Sequence, residues 1–183
     1  MLFRSMPIWK ALGRFLHGWA NWVLGDQQME LAEMRQGIER LHELGQGFYR
    51  PYLRGLLAEA YADEGKFDIA LAELDDVLTE ATTMDQHFSD AELHRIRGEI
   101  LLKRDPTNTP PDEEAFLTAI AVAQQQKARS FELRAALSLA KLYQSTGRVA
   151  EARAVLAPAL QSFSPTPEFP EIEEAQTLLA ALA

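Results

Sequence analysis

Apolar side chains recur every three or four residues from Pro7 to Leu182, the period of helices with one buried face. Pro7 suits a helix first turn, and the first helix is expected to run to Leu24, where Gly25-Asp26 breaks it. A second, about Gln27 to Leu44, carries Leu31, Met34, Ile38 and Leu41 on one side. The third is expected over about Tyr49–Glu64 and the fourth over Phe67–Ala81. The fifth starts at Ser89, an N-cap with Glu92 three residues on, and reaches Arg104. Asp105 to Pro111 reads as a loop. The sixth covers Asp112–Lys127, the seventh Ser130–Thr146, and the eighth Val149–Phe163 with a bend near Pro158. After an extended Pro-rich stretch, Ser164 to Pro170, the last helix is Glu171–Leu182. No segment alternates as a strand would, and the short links force neighbouring helices antiparallel.

One pattern occurs twice. Ala58, Tyr61, Gly65, Phe67, Ala70, Leu74 and Leu78 share their spacings with Ala140, Tyr143, Gly147, Val149, Ala152, Leu156 and Leu160. A small residue lets two helices approach, an aromatic fills the gap beside it, and glycine permits the tight turn between them. A looser copy has Gly98, Leu101 and Ala115. The first unit keeps Gly18 and Gly25 but has Asn21 and Glu30 at the aromatic and small positions.

These residues resemble the tetratricopeptide repeat. The resemblance implies an all-α, right-handed α-solenoid of four helical hairpins, about 7–46, 47–84, 87–127 and 129–163, with a capping helix at 171–182. The expected core is Leu57, Ala58, Tyr61, Ala70, Leu74, Leu101, Ala115, Leu139, Ala140, Tyr143, Ala152 and Leu156. The stretches Arg50–Ala81, Ala91–Leu102 and Glu114–Leu160 are similar to the C-terminal repeat region of large bacterial signalling proteins. Those proteins join it to an adenylate or guanylate cyclase domain or an ATPase. No cyclase motif or phosphate-binding loop occurs in this chain, so only a binding or regulatory role in signal transduction is implied.

Charge narrows the partners. A formal net charge of −9 opposes nucleic-acid binding, which needs a surplus of Lys and Arg. With no cysteine, disulfides, thiol catalysis and Cys-ligated zinc are excluded. No apolar run is long enough for a membrane span, and a cytoplasmic protein is expected. Four histidines are present, and His87 and His94 alone share a spacing near an acid, Asp90, too few ligands for a metal site. Acidic pairs such as Asp75-Asp76 and Glu113-Glu114 read as solvated faces, because adjacent helix residues point about 100° apart. No catalytic, cofactor or metal residue is expected, and the chain is read as a non-enzyme.

In this resemblance the first helix of each hairpin lines a concave groove that holds a protein or peptide partner. The register places Tyr52, Glu59, Ala62 and Asp63 there in the second unit. The third offers Glu92, Arg95, Glu99 and Lys103, and the fourth Arg134, Leu137, Lys141 and Gln144. Arg95, Lys103, Arg134 and Lys141 are then either ligands for a peptide's carboxylates or partners of Glu59, Asp63 and Glu99 on neighbouring helices.

The first unit puts Leu12, Phe15, Trp19 and Trp22 at the same positions. An apolar face of this kind meets neighbouring helices, upstream repeats or a second copy, or forms a hydrophobic ligand groove or membrane-surface contact helped by Arg4, Lys10 and Arg14. The main expectation is therefore a protein-interaction scaffold. The alternative is self-association, a homodimer through the aromatic N-terminal unit. Leu2-Phe3-Arg4-Ser5 matches a translated sequencing adapter, so residues 1–5 are expected to be non-native and the chain the tail of a longer protein.

Overall fold

A computed structural model describes residues 6–25, 30–161, 163, 164, 166 and 168–182. The expectations for residues 1–5, for Asp26 and for the start of the second helix at Gln27 lie outside the described residues. So does the side chain of Glu30.

Among the described residues there are nine helices and no strand. They are α1 (Pro7–Leu24), α2 (Glu30–Glu43), α3 (Arg50–Asp63), α4 (Phe67–Met84), α5 (Asp90–Arg104), α6 (Pro110–Gln126), α7 (Arg129–Ser145), α8 (Val149–Leu160) and α9 (Pro170–Ala181). Most boundaries lie within a residue or two of those the periodicity predicts. The loop after α5 is shorter than expected, because Pro110 and Pro111 form the first turn of α6, where their missing N–H groups cost nothing. The capping box at Ser89 does not form. Ser89 Oγ is buried without a hydrogen-bond partner, and the Glu92 carboxylate is taken by arginines.

Two compact units divide the chain, Met1–Ser89 and Asp90–Ala183. In the first, α1 pairs with α2 and α3 with α4, while α3 also packs on α2 and touches α1. In the second, α5 pairs with α6 and α7 with α8, α7 packs on both α5 and α6, and α9 lies on α7 and α8. The matched pattern performs its expected packing in both. Ala58, Ala70, Ala140 and Ala152 have no exposed surface, Tyr61 and Tyr143 are buried beside them, and Leu74 and Leu156 complete the cores. Gly65 and Gly147 turn the chain at φ 75° and 77°, a region open to glycine.

Leu101 departs from the expected core and is half-buried. In this hairpin Phe116, fully buried, lies against Gly98, and a Cβ on that glycine would meet the ring at 2.5 Å. The large aromatic against the small residue comes here from the second helix, and Ile100, next to Leu101, is fully buried.

Candidate partner-binding surface

The predicted groove residues of the first helices lie at different depths. Tyr52 and Glu59 on α3 are half-buried and Asp63 is exposed. Trp19 and Trp22 on α1 are half-buried, and Phe15, predicted on the same outer face, is fully buried. The apolar surface α1 presents is instead Trp9, Leu16 and Val23. The cause is rotation: Arg14 donates to Gln36 at 2.8 Å and His17 Nδ1 lies 2.6 Å from Glu33, so α2 sits on the side of α1 that carries Ala11, Phe15 and Gly18. Ala62, Glu92, Arg95 and Leu137, also placed outward by the register, are buried.

Unit two gathers the predicted cations but supplies their counterions itself. Glu92, with no exposed surface, accepts a two-pronged contact from Arg95, Nη2 at 2.9 Å and Nε at 3.1 Å. Arg134 of α7 reaches the same carboxylate at 2.9 Å and Glu171 of α9 at 3.6 Å. Glu99 lies 3.5 Å from Arg95 and accepts from Ser138 Oγ at 2.6 Å. Lys141 pairs with Glu174 of α9 at 2.7 Å. Lys103 is exposed at the end of α5. The arginines and Lys141 are thus held by carboxylates of their own unit, and three acids, Glu92, Glu99 and Glu171, surround two guanidinium groups. The Arg95 contacts lie within α5, whereas Arg134 and Lys141 pair across helices with Glu92, Glu171 and Glu174, partners that spacing did not single out. Burying an ion pair is worthwhile only when every prong is satisfied, which the Glu92 geometry achieves.

Two further features escaped the sequence reading. In unit one Arg54 of α3 is buried and bonds Glu73 at 2.5 Å, Asp76 at 2.5 Å and Glu80 at 2.6 Å, all on α4. Burial pulls its pKa down, and the bonds and charges of Glu73 and Asp76 outweigh that, leaving it above the ordinary arginine value. In the same unit, Phe48 stacks on Phe88 at 4.8 Å, with Tyr49 edge-on to both. Phe48 and Phe88 each stand two residues before a first helix, a shared repeat position that could have signalled the pair.

Among the described residues no group of three or more His, Asp or Glu is placed to hold a metal ion. No helix of the described residues is long and apolar enough to cross a membrane. No protein-family model matches the chain, and no curated protein matches it.

Proposed function

We propose that the chain is a protein-interaction module: a right-handed solenoid of tetratricopeptide-like hairpins capped by α9, acting without catalysis in cytoplasmic bacterial signalling. The observation that carries this reading is the doubled hairpin. Ala58, Tyr61 and Ala70 pack as Ala140, Tyr143 and Ala152 do. Contact between the first helices of successive hairpins, α1 with α3 and α5 with α7, supports it.

A peptide or partner domain would bind over the exposed ends of the first helices. In unit two a peptide carboxylate would compete with Glu171 and Glu174 for Arg134 and Lys141. Titration of a fluorescent acidic peptide tests this. Binding should tighten in Glu174→Gln, which releases Lys141, weaken in Lys141→Glu, and fall with added salt. Equal binding by all three proteins would overturn the peptide reading. The exposed apolar residues of α1 favour the second reading, self-association through the N-terminal unit.

A further inference from the structure

Helix α1 carries two apolar stripes. The first, Ala11, Phe15 and Gly18, is buried. It meets α2 at contact distance, for a Cβ on Gly37 would fall 2.8 Å from Phe15 Cβ and 2.9 Å from the Ala11 carbonyl oxygen. The second stripe is Trp9, Gly13, Leu16, Ala20 and Val23, spaced four, three, four and three. It is open along its length, with Trp9 62%, Leu16 45% and Val23 59% exposed. No charged residue stands on it, since Arg14 and His17 turn to α2.

The repeat register marks this stripe as a packing surface. Superposing Gly25 on Gly65 carries Gly13, Leu16 and Ala20 onto Leu53, Leu56 and Ala60, and onto Gly147 carries them to Ala135, Ser138 and Leu142. All six counterparts are buried. Helices α3 and α7 each have a preceding hairpin packed against them within their own unit, and α1 has none among the described residues.

Gly13 points the same way. A glycine inside a helix costs up to about 1 kcal/mol relative to alanine. Gly37 and Gly98 offset this by admitting a neighbour, whereas a Cβ at Gly13 would meet nothing within 4 Å. Nothing among the described residues accounts for that glycine; a second helix lying close against it does.

Resting on the self-association reading, we infer that the occupant is a second copy of the chain, α1 against α1, antiparallel about a two-fold axis. The stripe alternates large residues, Trp9, Leu16 and Val23, with small ones, Gly13 and Ala20. Parallel copies would set large on large and small on small. Antiparallel copies set Trp9 and Leu16 over the small residues, the interdigitation that close helix packing needs. In the register that uses the whole stripe, Leu16 of each copy covers Gly13 of the other and Trp9 covers Ala20. Val23 then meets Met6, which is also exposed.

The chain has no cysteine, so engineered thiols report this geometry directly. Light scattering across the micromolar range should show a dimer. Gly13→Leu should be monomeric yet keep the helical circular-dichroism signal of the native chain, because its Cβ enters open space, and its melting temperature should no longer depend on protein concentration. Mixed Trp9→Cys and Ala20→Cys chains should oxidise to a crosslinked dimer, and Trp9→Cys alone should not. A monomeric native chain would overturn both this interface and the self-association reading. A dimer that survives Gly13→Leu and does not crosslink would leave self-association standing and overturn the α1 interface. Homodisulfide from Trp9→Cys alone would overturn the antiparallel arrangement.

Discussion

Gly98 sits inside α5 with the fully buried Phe116 ring 2.5 to 2.8 Å from where a Cβ would stand. Helix propensity alone would make Gly98→Ala stabilising by about 1 kcal/mol. Phe116 cannot retreat, so the contact outweighs propensity, and a net loss of roughly 1–3 kcal/mol is expected in urea unfolding. Ala70→Leu and Ala152→Leu overpack the two matched crossings and should each cost about as much. Unchanged midpoints for both would refute the shared register. These positions were legible in the sequence because small–aromatic spacing within a helix is local information. The burial of Asp112 was not. It lies in the first turn of α6, with Oδ2 lacking any hydrogen-bond partner. Burial, then the charges of Asp105 and Glu99, push it up to about 6, with Arg104 opposing. Its folded pKa exceeds the unfolded one, so the stability it permits is complete below the ordinary value of 3.8 and is lost as pH rises through about 6. Asp112→Asn removes that titration. Its melting temperature relative to the native chain should therefore rise from about pH 4 to about pH 8. A difference that stays flat over that range would show that the carboxyl is not held out of water.

Between elements, charge partners decide what periodicity leaves open. Acids on the second helices read from sequence as a solvated face, since a carboxylate's partner on another helix leaves no local trace. The structure gives Asp76 and Glu80 to Arg54. It gives Glu113 to Arg148, at 2.6 Å, and to the Tyr143 hydroxyl, at 2.8 Å. The Arg148 hydrogen bond, ahead of the contribution from Tyr143, holds Glu113 below the usual carboxylate range against the effect of burial. The same blindness hid the counterions of Arg134, which come from α5 and α9, and that of Lys141, which comes from α9. At the α3–α4 crossing the members of the Arg54 cluster are unequal. Asp76 is 70% exposed and screened, so Asp76→Asn should change stability by no more than about 0.5 kcal/mol. Glu80 is 13% exposed and shared with Arg50. Arg54→Ala leaves that carboxylate and Glu73 without their buried guanidinium, and should cost roughly 3 kcal/mol. Adding Glu80→Gln should recover about 1 kcal/mol of the loss, a coupling that a double-mutant cycle in urea measures directly. Strict additivity would mean that packing of the arginine stem, and not charge, holds the crossing.

Across the whole molecule, eight helices pair as hairpins and α9 stands alone among the described residues. A lone amphipathic final helix signals in sequence that an apolar flank needs covering, and here that signal was readable. What it covers is specific. Ile172, Ala175 and Leu182 are buried in the cluster that holds Leu139, Tyr143, Ala152 and Leu156. Arg153 donates to the Leu182 carbonyl at 3.1 Å, and Arg134 and Lys141 reach Glu171 and Glu174. The last helix thus closes the core of unit two and neutralises its cations at once, two roles that separate experimentally. Ile172→Ala attacks only the packing and should cost about 2–5 kcal/mol, because Ile172 is almost wholly buried. Glu171→Gln with Glu174→Gln attacks only the charges, which lie at partly exposed sites, and should cost less than about 1 kcal/mol while raising affinity for an acidic peptide. Removing residues 162–183 removes both, and should lower the unfolding midpoint further than Ile172→Ala and expose apolar surface to a fluorescent hydrophobic dye. A truncated chain that melts as the full chain does, with no dye response, would show that the Leu139–Leu156 core closes without α9.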